Sequence, residues 1–373
     1  MTQPLMLDFT SALYLGLRHP SRSLRPWVQL TTGAPAALFT HESTRRLERA
    51  LAAVIGCERA VIAPSTLHLF WDLFGILAAS PIAIYLDAGV YPIARWGVER
   101  ARARRVRARD FRHYDPSALM RLLRSDRRPG HTPLVVVDGF CPACGRTAPL
   151  DSYLECVRTF GGLLIIDDTQ ALGILGAAPS LDAPYGLGGG GSLIFNKIRG
   201  PDVLAVNSLA KGFGVPMAVL AASGRVVRRF EIESETRVHT SPPSAAVIHA
   251  AEHALEVNAE RGDDLRARLA GLVSRFRAGL AYCGLSAAGV FPVQAIESPV
   301  GIDAITLHAR LLATGVRALL QRGRHDEGAR VSFVITASHS AQEIDRAIHV
   351  LASAVSTHPA QANEPSLTRR KVI

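Results

Sequence analysis

Lysine is nearly absent from this chain. Of 42 basic residues only Lys197, Lys211 and Lys371 are lysines, and the rest are arginines. A guanidinium stays charged at any working pH, so chemistry that needs an amine able to lose its proton has three places to reside. Cysteine is scarce too: five in 373 residues, an odd number too small for a disulfide framework. Cys141 and Cys144 form a Cys-Pro-Ala-Cys pair, but no second pair at zinc-ligand spacing accompanies them. The pair reads as a loop with two thiols and no metal. No run approaches the roughly 20 uninterrupted apolar residues of a membrane span. The N-terminus lacks the basic start, apolar run and cleavage site of a secretory leader. These absences predict a cytoplasmic protein without membrane attachment.

Charged residues make up 20% of the chain and hydrophobic ones 48%, which excludes a disordered chain. The length suffices for one large domain with a smaller one attached. The net charge of +10 raises the question of nucleic acid. The densest basic run is Arg95, Arg100, Arg102, Arg104, Arg105, Arg107, Arg109 and Arg112. It falls on a predicted helix and edge strand with little interleaved aromatic surface, so it reads as a solvated face and not a nucleic-acid site.

Short β-branched runs recur between residues 60 and 222: AVIA (60–63), IAIYLD (82–87), RVRAR (105–109), LVVVD (134–138), LLIID (163–167), VLAVN (203–207) and AVLAA (218–222). Segments of helical periodicity separate most of them, at 65–79, 92–102, 116–125 and 150–160. Apolar strands alternating with helices predict an α/β fold, a seven-stranded mostly parallel sheet sandwiched by helices. Residues 243–281 read as a long helix or broken helix pair, with apolar positions three and four apart. A strand near 290–296, a helix at 303–321, a strand at 331–336 and a helix at 341–355 follow, suiting a small α+β C-terminal domain. The predicted organisation is an N-terminal arm (1–40), a large α/β domain (41–240), the long helix with the small domain (241–358), and a disordered polar tail (359–373). GLGGGGS (186–192) lacks the strand–helix context of a nucleotide loop and reads as a flexible loop near the site entrance.

In open α/β sheets ligands bind at the carboxyl ends of strands. LLIID ends in Asp167, and VLAVN is followed by SLAKGFG with Lys211 just past the strand. An acid at one strand end and a lysine past another are what pyridoxal 5'-phosphate (PLP) requires. The amine forms a Schiff base, and the carboxylate keeps the pyridine nitrogen protonated so that the ring can accept electrons.

Here the chain resembles a known family: the α-oxoamine synthase branch of the fold type I PLP-dependent aminotransferase superfamily. IIDDTQALGILG (165–176) is similar to its DDAHGxGxxG segment and VNSLAKGFGVP (206–216) to its TxSKAFG segment. YLGL (14–17), FRHYDPSAL (111–119), the stretch from Asp138 to Leu150, and ITASHSAQEID (335–345) follow in family order. The resemblance covers nearly the whole chain to about residue 355. It implies that Lys211 is the Schiff-base lysine and Asp167 the partner of the pyridine nitrogen. It further implies that Ser208 and the Ser65–Thr66 turn hold the cofactor phosphate, the latter at a helix N-terminus. Tyr91 stands where the family stacks a His on the ring, and Gln170 where a second His meets the phenolic oxygen. Thr240 matches a residue that reaches a neighbouring subunit's phosphate, which implies a homodimer.

Three further positions depart from the family. Thr66 replaces a glycine, Ala12 replaces an Asn before YLGL, and the RxR strand that grips a substrate carboxylate reads Arg330-Val331-Ser332, leaving Arg330 or Arg324 to substitute. The cofactor machinery is thus retained while substrate recognition is rebuilt. The implied activity is a PLP-dependent transferase that forms a carbanion from a small-molecule amino acid or amine and acylates it from an acyl thioester. Aminotransfer or another carbanion chemistry on the same scaffold, such as decarboxylation or retro-aldol cleavage, is the alternative. A protein that keeps the fold without the cofactor is the third reading.

Overall fold

A computed structural model describes residues 6–297, 302–321 and 328–356. The predicted tail (359–373) and Arg324 lie outside the described residues. In chain order the elements are β1 (Leu7–Asp8), α1 (Glu42–Ile55), β2 (Arg59–Ala63), α2 (Thr66–Leu77), β3 (Ile82–Asp87), α3 (Pro92–Ala103), β4 (Arg107–Phe111), α4 (Pro116–Ser125), β5 (Thr132–Asp138), the short hairpin β6 (Phe140–Cys141) and β7 (Arg146–Thr147), α5 (Leu150–Thr159), β8 (Leu163–Asp167), α6 (Ser192–Phe195), β9 (Val203–Ser208) and β10 (Ala218–Ala222). Then come α7 (Gly224–Glu233), α8 (Glu235–His239), α9 (Ala245–Tyr282), β11 (Val293–Ala295), α10 (Ala304–Ala313), β12 (Val316–Arg317), β13 (Leu319–Gln321), β14 (Arg330–Val334) and α11 (Ala341–Ser356).

The main sheet has seven strands in the order β2-β10-β9-β8-β5-β3-β4, all parallel except β10, which runs against both neighbours. Its inner strands are apolar on both faces because both faces are covered. Val135, Val137, Leu164, Ile166 and Ala205 point into one core layer, under α1, α5 and α9. Leu134, Val136, Ile165, Leu204 and Val206 point into the other, under α2, α3 and α7. Period-two alternation along each strand thus fills two cores from one sheet.

The C-terminal part is a three-stranded antiparallel sheet, β11-β14-β13, covered by α10, with α11 packed between α10 and α9. The start of the chain joins it, because β1 pairs in parallel with β12. The helix expected at 303–321 is instead shorter. α10 ends at Ala313, Gly315 turns the chain in the left-handed region at φ +84°, and β12 and β13 follow. Glycine is the residue that takes this conformation without a Cβ penalty.

The arginine run lies mostly exposed, whereas the glycine-rich stretch departs from the expectation. Much of the arginine run is ion-paired: Arg95 to Asp110, Arg100 to Asp72 and Glu235, Arg102 to Glu99, and Arg107 to Asp126. The glycine-rich stretch 186–192 is not an open flexible loop. Gly189 accepts from Gly173 N–H at 2.8 Å, Gly191 donates to Leu175 at 2.7 Å, and Asn258 of α9 donates to Gly188 at 3.0 Å. Four of its glycines, 186, 188, 189 and 191, have positive φ, so the backbone path itself calls for glycine.

Candidate active site

Parallel pairing decides where the chemistry gathers. β2, β9, β8, β5 and β3 run in one direction, so the residues after their carboxyl ends share one edge of the sheet. Ser65 and Thr66 follow β2, Tyr91 follows β3, Asp138 ends β5, Asp167 ends β8, Ser208 ends β9, and Lys211 lies in the turn beyond. Asp167 sits between Asp138 on one neighbour and Val206 on the other. Ser208 and Ala63 flank the same residue, Ala218, from opposite sides of β10.

Local turns then aim the side chains. Thr169 N–H donates to Asp167 Oδ1 at 3.1 Å, and Thr169 Oγ1 accepts from Ser208 N–H at 3.0 Å, tying the acid's loop to the end of β9. Asp138 Oδ1 accepts from Tyr91 N–H at 3.1 Å, which pins the 47%-exposed Tyr91 beside the strand next to Asp167. Ser65 turns its hydroxyl to His68 Nδ1 at 2.9 Å and makes no capping bond to α2. The first-turn N–H groups of a twelve-residue helix are therefore left for an anion.

The loop carrying Asp167 and the loop carrying Lys211 meet backbone to backbone. A Cβ on Gly212 would stand 2.3 Å from the Leu172 carbonyl oxygen, and one on Gly173 would stand 3.0 Å from Gly212 Cα. Arg266 of α9, 2% exposed, donates from Nη1 to the Gly173 carbonyl at 2.9 Å and to Asn258 Oδ1 at 2.8 Å, holding the turn from behind.

Gln170 is set by a residue 156 positions away. Its Oε1 accepts from the Tyr14 phenol, which is buried against the edge of Phe291. The Tyr14 carbonyl in turn accepts from Ala337 N–H at 2.8 Å, so the YLGL segment bridges the site and the C-terminal sheet. Burial pushes the Tyr14 phenol well above its ordinary pKa, so it stays a neutral donor. With Oε1 engaged, the amide presents its Nε2 donors.

The structure brings Lys211, Asp167, Gln170, Ser208, Tyr91, Ser65 and Thr66 to one edge and its loops. Thr240 is not at a strand end of that edge but after α8, in a cleft that Ala63 and Pro64 also line. Its Oγ1 donates to the Thr236 carbonyl at 2.7 Å, and it lines a cleft of about 370 Å³ with Ala63, Pro64, Trp27 and Phe39. Arg330 opens β14, and its Nη1 donates to the Ala143 carbonyl at 3.0 Å, on the loop between the two cysteines. Residue reasoning missed Asp138, Thr169 and Tyr14. Tyr14 stood inside a recognised motif, but its partner is too distant in sequence to be read. The edge offers a carboxylate, a lysine amine, an amide donor, an aromatic ring and an uncapped helix N-terminus. That donor set fits PLP.

Asp168, beside Asp167, is 1% exposed, and its Oδ2 accepts from Ser192 N–H at 2.7 Å. Burial pushes its carboxyl up to about 7, against the hydrogen bond from Ser192 N–H. Its native form therefore binds a proton more tightly than the unfolded chain. The associated stability is fully present below about pH 4 and is lost as pH rises through 7, by about 4 kcal/mol. Asp168→Asn keeps an acceptor for Ser192 and removes the titration. Thermal melts at pH 5 and pH 8 should show the wild type losing more stability than the variant; equal losses would contradict the assignment.

Comparison with known proteins agrees with this architecture. Residues 28–351 match the family model for aminotransferase class I and II. An 8-amino-7-oxononanoate synthase of Sodalis glossinidius is 30% identical over 93% of this chain and 88% of its own length. One from Marinobacter nauticus is 28% identical over 97% of this chain and 91% of its own. A lysine-to-alanine variant of a serine palmitoyltransferase from S. paucimobilis, solved with a bound PLP–myriocin aldimine, superposes with a TM-score of 0.81 at 17% identity, over 94% of this chain and 87% of its own. The chain belongs to the aminotransferase class I and II family and is a PLP-dependent transferase of fold type I, on the α-oxoamine synthase branch.

Proposed function

We propose that Lys211 carries PLP as a Schiff base and that Asp167 faces the pyridine nitrogen, in an enzyme that joins an amino acid or amine carbanion to an acyl group delivered as a thioester. The observation that supports this most is the backbone contact of Gly173 with Gly212, which locks the acid's loop onto the lysine's loop. PLP, when bound, supplies an electron sink for negative charge at the substrate's α-carbon. Asp167, its Oδ1 held by Thr169 N–H, would keep a proton on the ring nitrogen. Gln170 would offer Nε2 to the phenolic oxygen and, being an amide, would not titrate as the family's histidine does. Tyr91 covers the ring face, a role an aromatic ring fills without acid–base chemistry. Ser208 and the Ser65–Thr66 end of α2 hold the phosphate.

In this reading residues 41–240 supply the cofactor contacts and 241–358 close the substrate side. Arg330, on β14, is the described candidate for a substrate carboxylate. Among the described residues no helix is long and apolar enough to cross a membrane. All five cysteines are unpaired, which favours a reducing cytoplasm.

The working unit is proposed to be a homodimer. Trp27, Val28, Leu30, Leu38 and Phe39 of the arm are exposed, as are Leu67 and Trp71 on α2. Such a surface suits an obligate interface of more than about 2,000 Å². Thr240, beside Ala63 and Pro64, would face the partner's phosphate across it.

The reaction is tested by free-thiol release from an acyl thioester across a panel of amino acids. Thiol should appear only when both substrates are present. Transamination products without thiol release would contradict the reading. Lys211→Arg should keep the melting temperature and lose turnover by more than the roughly 1,000-fold seen when single oxyanion donors are removed. Sedimentation at micromolar concentration should give a dimer. A 40.0 kDa species that retains its cofactor would overturn both the dimer and the role of Thr240.

A further inference from the structure

We propose that Cys141, Cys144 and His113 form a binding site for one zinc ion. Residues 28 and 31 positions apart in sequence meet here, because His113 follows β4 and the cysteines flank the turn between β6 and β7. Their donor atoms, two Sγ and a ring nitrogen, lie within 4.8 Å of one another, and His113 Nε2 stands 3.3 Å from Cys144 Sγ. Tetrahedral zinc, with Zn–S near 2.3 Å and Zn–N near 2.0–2.1 Å, sets its ligand atoms about 3.5–3.8 Å apart. The three groups need only small adjustments to take that spacing.

The loop is folded as a pair of thiolates bound to a metal requires. Gly145, at φ +68°, donates to the Cys141 carbonyl at 2.9 Å and closes the turn. The C-x₂-C spacing lets one turn present two sulfurs to one ion.

The histidine is oriented from behind. Its Nδ1 lies 2.5 Å from Asp87 Oδ1, the carboxylate–histidine arrangement that fixes the tautomer and turns the Nε2 lone pair to the metal. Asp87 is itself held by Gly89 N–H at 2.7 Å, Tyr114 N–H at 2.8 Å and the Tyr153 hydroxyl at 3.2 Å. Two thiolates and an imidazole select zinc over magnesium or calcium. Three protein ligands leave the fourth position to water. On loading, the two thiols lose their protons to solvent and no electrons move.

The ion braces a corner of the active-site edge. Tyr114 stacks on His113 at 3.9 Å between ring centres and donates from its hydroxyl to the Asp138 carbonyl at 3.0 Å, while Asp138 holds Tyr91. The site stands on these residues alone and does not depend on the proposed reaction.

The test is metal content and cobalt binding of the full-length protein, purified without chelator and reduced. About one zinc per chain is expected. Cobalt added to the zinc-stripped wild type should give thiolate-to-cobalt charge-transfer absorption, which needs no variant to fold. Cys144→Ser and His113→Ala should each weaken cobalt binding by more than the roughly 10–100-fold that loss of an outer hydrogen-bond partner costs. Cys283→Ser, at an exposed cysteine, should bind as the wild type does. Absence of zinc together with absence of cobalt charge transfer in the reduced protein would overturn the proposal. So would unchanged binding in folded Cys144→Ser, or a Cys141–Cys144 disulfide whose reduction restores no metal affinity. Retained visible absorption of bound PLP in the variants would separate this outcome from any failure of the cofactor site.

Discussion

Parallel pairing leaves β2, β3, β5, β8 and β9 no choice about which end of the sheet their final residues reach, and the site depends on that constraint. Each strand is buried on both faces, so a register slip of one residue would move its apolar set between the two cores. Register is therefore strongly specified, and with it the level of Asp167 beside Val206 and of Ser208 beside Ala218. The single reversed strand, β10, keeps β2 parallel to β9 and so returns the start of α2 to the same edge. Chemistry that needs an acid, an amine and an anion cradle obtains all three from strand ends, without a long loop to order.

Close backbone approach supplies the remaining precision. Gly212 against Leu172, and Gly214 against the Leu17 carbonyl, where a Cβ would stand 2.6 Å away, bring the lysine turn against both the acid's loop and the N-terminal segment. Side chains at these points would hold the loops apart. The buried guanidinium of Arg266 and the Tyr14–Gln170 hydrogen bond fix the same loops through polar contacts, each with its partner buried or half-buried. Of the departures from the family, Tyr91, Gln170 and the strand beginning at Arg330 fall at positions proposed to meet ligand, and Thr66 and Ala12 fall in the turn after β2 and just before YLGL. Elements that build the edge keep their pattern.

The sheet was legible because β-branched runs such as LVVVD and LLIID are short, apolar throughout and bounded by turn residues. Lys211 and Asp167 stood out because their chemistry is specific and lysine is rare. The segment at 303–321 was misread because Leu311, Leu312, Val316, Leu319 and Leu320 keep helical spacing across Gly315, and only the left-handed turn there separates helix from strands. The glycine-rich stretch looked loose because sequence carries no record of its hydrogen bonds to Gly173, Leu175 and Asn258. Tyr14 with Gln170, and His113 with the cysteine pair, are contacts between distant segments, and no local spacing announces them. Surface apolar residues such as Trp27 and Phe39 were likewise unremarkable until the fold placed them together beside Thr240.

The central claim is that the lysine turn after β9 carries the cofactor. The scarcity of lysine makes that claim sharp, since only Lys197, Lys211 and Lys371 offer side-chain amines. The direct measurement is borohydride reduction of the PLP-loaded protein, proteolysis and mass mapping of the pyridoxyl group. The account predicts a stable adduct on the peptide containing Lys211 and on no other. An adduct on Lys197 or Lys371, or an unlabelled Lys211 in protein that retains bound cofactor, would contradict it.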